Sequence, residues 1–285
     1  MKPILSVGAA LIAVVLFASS CSRQPRRTPE IVAVGAAKLP DTPEDRAWRA
    51  APEHVAKLIP QDLVEPRLMT PSTPEMKVRA LTDGANIAFR LEWNDADKSD
   101  APGPSEMVDA CAVQIPEKIE KDLPDPQMGQ PGKIVQVTYW RADWQATLDG
   151  RGDSIRDLYP NAAIDHYPFE SKALEPGSAA QKEMALRYSP ARTLGNLRSG
   201  PRSQAVEDLV AGGPGTLSPG PSLGAKGKGV FSPQGWAVVI CRKLPEGLEV
   251  NQRTHVALAV WQGSRQESGA RKMRSGWIPL VRRAK

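Results

Sequence analysis

The feature that most limits what this chain can fold into is strict alternation. In "NIAFRLEW" (86–93), Ile87, Phe89, Leu91 and Trp93 share one parity, and Ala88, Arg90 and Glu92 the other. Successive side chains of a strand point to opposite faces, so this pattern describes a strand with one face in a core. The turn signal "LTDGAN" precedes it, and "MKVRAL" upstream is its hairpin partner. "DACAVQIP" and "KIVQVTYW" alternate in the same way, while "GWAVVICRKL" and "THVALAVWQG" are apolar on both faces. Strands inside a packed sandwich read like the last two. Long helical stripes are absent, and only "TPEDRAWRAAPEHVAKLI" and "AVEDLVAG" suggest short helices. The chain therefore reads as all-β, a two-sheet antiparallel sandwich with a few short helices. A polar stretch from about 149 to 205 gives it a long loop excursion.

The N-terminus carries a different message. Lys2 precedes "ILSVGAALIAVVLFA", an apolar run too short for a stable span and suited to a secretory signal. It ends in "FASSC", which resembles the lipobox of bacterial lipoproteins, with Ala18 where such signals prefer Leu or Val. The expected organisation is a signal peptide over 1–20, a tether over 21–42 after a lipidated Cys21, and one domain over 43–285. The alternative is an ordinary cleaved signal. Both readings place the protein outside the cytoplasm, on the periplasmic side, and lipidation would anchor it to a bacterial membrane. A formal net charge of +5 is too mild to suggest nucleic acid. The basic C-terminal run "RKMRSGWIPLVRRAK" reads as a solvated face or as a docking patch for an anionic partner.

Motifs for intrinsic catalysis are missing. No Ser–His–Asp arrangement, HExxH or phosphate-cradling glycine loop stands out, and "GAKGKG" precedes a strand, so it reads as a flexible turn. The sequence lacks CxxCH, CxxC and clustered cysteines, which excludes covalent c-type haem and leaves iron–sulfur and structural zinc sites unsupported. Cys111 and Cys241 can be small core residues or a disulfide. His54, His166 and His255 are isolated from one another.

Two segments stay unexplained. Met128 lies in a turn built from Pro124, Pro126, Gly129 and Pro131, where a thioether gains little from solvent. Lys272 lies between Arg271 and Arg274, in a loop flanked by Trp261 and Trp277. These segments join an ordered set: "VRALTDGANIAFRLEW", "DACAVQIP", "PQMGQPGKIVQVTYW", "LYPNAAIDHYPFE", "VEDLVAGGPGTL", "GWAVVICRKL" and "VALAVWQGSRQESGARKMRSGW". From about residue 45 to 282 the set resembles the haem b-binding γ subunits of periplasmic molybdenum enzymes of the dimethyl sulfoxide reductase superfamily. That group includes the ethylbenzene, dimethyl sulfide, chlorate and selenate oxidoreductases.

The resemblance implies one non-covalent haem b with methionine and lysine as axial ligands. By the "MGxP" turn and the turn after "VWxGS", these are Met128 and Lys272. Arg271 and Arg274 would favour the neutral amine or neutralise haem propionates, unless they are ordinary surface arginines. Met107 and Met273 are the nearest competing methionines. A non-catalytic electron-transfer subunit follows, with a molybdopterin α subunit and an iron–sulfur β subunit as partners and a soluble cytochrome c or similar carrier as exchange partner. The rival is an exported carbohydrate-binding or DOMON-like module, in which Trp93, Trp140 and Trp236 would be exposed stacking platforms.

Overall fold

The computed structural model describes residues 28–284, apart from 153–154, 162–173, 176, 189–190, 192–193 and 195–201. The expected signal peptide, Cys21 and His166 lie outside the described residues. Alternation does produce strands. β4 (Glu75–Thr82) and β5 (Asn86–Trp93) form the expected hairpin, and β11 (Gly235–Lys243) and β10 (Lys226–Ser232) extend it. On the other side of β4 come β1 (Ile31–Gly35), β14 (Ile278–Arg283) and β12 (Arg253–Trp261).

A second layer follows from the far half of β12. Residues 253–256 of β12 pair with β14, and 257–261 pair with β6 (Ala110–Pro116). One strand thus passes from one layer to the other, a common way to turn a sandwich corner. The second layer continues through β7 (Val135–Arg141), β8 (Val206–Ala211) and β9 (Ser218–Pro219). Short strands β2 (His54–Lys57), β3 (Ile59–Pro60) and β13 (Met273–Arg274) attach at the margins.

The core lies between the layers. Phe89, Leu91, Val238 and Ile240 from the first layer meet Cys111, Val113, Ile115 and Trp140 from the second. Both remaining cysteines are free, and Cys111 is a fully buried small apolar residue. Trp93, Trp140 and Trp236 pack on one another with centroids 5.0 to 6.5 Å apart. Each is at most 3% exposed, so none can serve as a sugar-stacking platform.

Five expectations need correction. The pairing is mixed, because β1 runs parallel to both neighbours. The expected tether over 21–42 is shorter, since Ile31 and Ala33 of β1 are buried in the sheet. A five-residue strand whose partners lie at Ala80 and Leu280 leaves little local trace. "AVEDLVAG" is strand β8, not helix: Val206 turns to the core while Leu209 and Ala211 pack on the opposite face. "GAKGKG" is not a flexible turn: its last four residues, 226–229, open strand β10. Its glycines are needed there, because a Cβ at Gly229 would sit 2.3 Å from the Trp140 ring and one at Gly227 2.3 Å from Val206. Of the other expected helix, residues 46–50 form a 3₁₀ turn and 54–57 form β2.

A buried acidic clasp ties the sandwich together near the β5–β6 connection. Asp109 accepts hydrogen bonds from Ser99 N at 2.7 Å, Gly263 N at 2.8 Å and Trp236 Nε1 at 2.9 Å. Burial and the neighbouring Asp109 push the Asp95 carboxyl up to about 7. The folded protein therefore holds a proton on Asp95 that the unfolded chain releases near its ordinary value of 3.8. The associated stability is full below that value and is lost as pH rises through about 7. Asp95→Asn should flatten the pH dependence between 5 and 8. At pH 8 it should gain about 1–3 kcal/mol over the wild type, read from urea midpoints.

Candidate functional site

The outer face of the second layer carries a cavity of about 370 Å³. That is within the range of roughly 300–1,000 Å³ common for small-molecule and cofactor sites. Alternation explains its floor. When Cys111, Val113 and Val260 point into the core, Ala112, Gln114, Ala259 and Trp261 must point outward, and they line the cavity. Tyr139 and Leu209 continue the floor across β7 and β8. Small residues on the middle strands leave the room. An apolar second face therefore becomes a pocket where loops arch over it.

Met128 enters from one of those loops. Its φ of +77 is in the left-handed region, where methionine is rare, and such outliers cluster at functional positions. Three contacts hold the loop. Trp277 Nε1 donates to Pro124 O at 2.7 Å, Gln114 Nε2 to Pro126 O at 3.0 Å, and Gly213 N to Met128 O at 2.9 Å. Gly129 follows with φ +78, and a Cβ there would lie 2.7 Å from Lys133 O and 3.0 Å from Ala211 O. Only glycine fits at that position without moving backbone.

Lys272 arrives from the opposite side. Met273 is buried in the core opposite Val260, so alternation turns Lys272 and Arg274 outward to the cavity. The Lys272 amine lies 3.7 Å from the Met128 sulfur and 5.2 Å from the centroid of Trp261. Burial, then the Arg274 charge, pushes its pKa down to about 8. Among the described residues no carboxylate forms an ion pair with it. The residues on the other flanks of the turn are Trp261, whose Nε1 donates to Gly269 O at 3.0 Å, and Gln61.

The other candidates separate cleanly. Arg274 is buried and lines the cavity, its Nε has no partner, and its terminal nitrogens lie 3.3 Å from the Gln127 amide. Arg271 has the opposite parity and does not line the cavity. Met107, His54 and His255 are absent from the lining too, and Met273 lies in the core. Arg141, Gln61 and Gln114 line it without having been singled out in the sequence. For Gln114 the signal was available: it shares the parity of Ala112 on a strand whose other face is Cys111, Val113 and Ile115. Arg141 is bound at both ends to Asp143 at 2.8 Å, so its charge is already matched.

The donor set is a soft thioether and an amine that burial moves toward its neutral form, above an apolar floor with an aromatic wall. A buried arginine with an unpartnered nitrogen lies beside it. These residues fit a haem: Met128 and Lys272 can ligate its iron, and Arg274 can meet an acidic substituent. The sequence profile of the ethylbenzene dehydrogenase family matches residues 45–273, which include every one of those residues except Arg274.

The chain belongs to the ethylbenzene dehydrogenase family. A Haloferax mediterranei protein described as a candidate respiratory nitrate reductase heme subunit, ORF7, is 24% identical over 246 residues, covering 84% of this chain and 67% of that protein. Among solved structures, a family 9 carbohydrate-binding module from Caldicellulosiruptor kristjanssonii in complex with cellotriose aligns with TM-score 0.46 and 10% identity. The alignment covers 91% of this chain and 95% of that one. The same organism's module in complex with glucose gives 0.43 and 10%, with coverage of 91% and 97%. Similarity of that degree says nothing about ligand, and the buried tryptophans of this ethylbenzene dehydrogenase family member speak against sugar stacking.

Proposed function

We propose that the protein is the haem-carrying electron-transfer subunit of a molybdopterin oxidoreductase complex, and that it performs no bond chemistry of its own. The observation that carries this reading is the meeting of Met128 Sδ and Lys272 Nζ at 3.7 Å above an apolar floor. Membership of the ethylbenzene dehydrogenase family supports it, as does the likeness to the Haloferax protein described as a heme subunit. A haem bound here supplies a one-electron ferric/ferrous couple.

The chain's own residues define how that couple is held. Met128 offers a neutral, polarisable ligand that favours the ferrous state. Lys272 offers an amine once its proton leaves, which burial and Arg274 already favour. Arg274 would meet a propionate of a bound haem, and the apolar floor around Ala112, Val137 and Leu209 would exclude water from the group. The proposed partners are a molybdopterin α subunit, an iron–sulfur β subunit and a soluble c-type cytochrome or similar carrier.

The purified protein should hold one haem b. A pyridine haemochromogen spectrum should be of b type, and acid–acetone should extract the pigment. A colourless protein, or haem that stays on the polypeptide, would contradict this. We also place the protein at the periplasmic face of a membrane through a lipid on Cys21, as the N-terminal run suggests. Cys21→Ser should then move it from the membrane to the soluble fraction. Unchanged fractionation would refute the anchor.

A further inference from the structure

We propose that Gln61 is the positioning residue for Lys272. It holds the turn that delivers the amine to the Met128 sulfur, and so sets the separation of the two ligands. The proposal rests on the ligand roles argued above and extends them to a residue outside the ligand set.

A lysine on a turn needs its backbone fixed, because its four-carbon stem gives it wide reach. The turn before Lys272 includes Gly269 with φ +59, and the strand that follows it is only two residues long. β13 pairs with β3 at Met273↔Pro60 and Arg274↔Ile59. Pro60 has no N–H to donate, so the ladder gains its next donor from Gln61, whose N–H reaches Lys272 O at 2.9 Å. This is the backbone carbonyl of the proposed ligand itself.

The Gln61 side chain adds a second tie. It is 4% exposed and lines the cavity. Its Nε2 donates to Ala270 O at 3.0 Å and to Val64 O at 2.7 Å, and its Oε1 accepts from Leu63 N at 2.8 Å and Val64 N at 2.7 Å. The two halves of the amide therefore have different duties. The oxygen organises Gln61's own loop. The nitrogen also bonds Val64 O in that loop, and it is the half that links the loop to the lysine turn, across 209 residues of sequence.

That division supplies the test. Gln61→Glu at pH 8 keeps volume and both acceptor bonds but loses both donor bonds, to Ala270 O and to Val64 O. Gln61→Met keeps volume and loses all four bonds. In the full-length haem-loaded protein, both variants should retain haem and show a high-spin ferric fraction several-fold above wild type. In the cofactor-free protein, amide exchange at residues 269–272 should accelerate at least tenfold in both, with the β5–β11 amides unchanged.

A Gln61→Glu protein with wild-type spin state and wild-type exchange overturns the proposal, because the acceptor half alone would then suffice. Faster exchange in both variants with an unchanged spin state also overturns it, since the turn would then be held without being coupled to the ligand. Absence of a Soret band in wild type would sink the haem reading instead, which is a separate and visible failure.

Discussion

Lys272→Arg should abolish the low-spin spectrum of the ferric haem as completely as Lys272→Ala does, although it keeps the positive charge. A primary amine can lose its proton and present a lone pair to iron. A guanidinium remains protonated at accessible pH and has no acceptor. The cavity strengthens the contrast, because the Lys272 amine is already depressed to about 8 by burial and by Arg274. A second guanidinium there would face Arg274, and among the described residues no carboxylate forms an ion pair at position 272. Both variants should become high-spin, with carbon monoxide binding the ferrous form, where the wild type is closed to it. If Lys272 served only as a positive charge, arginine would preserve the native spectrum. That outcome would remove Lys272 from the iron.

Met128→His should keep the haem bound and low-spin while lowering its midpoint potential by about 100–200 mV. A thioether is a weak σ-donor that favours ferrous iron, and imidazole donates more strongly to the ferric state. The loop can accept the change. Its position depends on the backbone contacts of Pro124, Pro126 and Met128 O and on the space at Gly129, none of which uses the Met128 side chain. Histidine also tolerates the left-handed conformation of residue 128 better than most residues. Potentiometric titration of the optical spectrum reads the shift directly. An unchanged potential would mean that Met128 is not a ligand.

Much of the sandwich was legible: β4, β5, β6 and β7 carry a sequence period of two, while β11 and β12 read as strands apolar on both faces. What these patterns hid was which face had no sheet opposite it. "THVALAVWQG" is apolar on both sides because Val256, Leu258 and Val260 fill the core while Ala257, Ala259 and Trp261 form the pocket. Packing and a cofactor floor leave the same hydropathy. They differ in side-chain size, and the small residues of β6 and β12 on that face were the available clue. Met128 was visible as an oddity because a thioether in a Pro/Gly turn needs a reason.

Arg271 and Arg274 looked equivalent in sequence, and the parity set by the buried Met273 separated them. Gln61 left no local mark. Its significance comes from a contact with a carbonyl 209 residues away, which only the folded chain creates. The parallel strand β1 was hidden for the same reason, as its neighbours come from Ala80–Thr82 and Leu280–Arg283.

The most direct test of the account is near-infrared magnetic circular dichroism of the ferric wild-type protein beside Met128→His and Lys272→Ala. The energy of the porphyrin-to-iron charge-transfer band reports the axial pair. The wild type should show a methionine–amine band, Met128→His a histidine–amine band at higher energy, and Lys272→Ala no low-spin band. A wild-type band of bis-histidine type, or one that neither substitution moves, would contradict the assignment of Met128 and Lys272 as the pair that holds the iron.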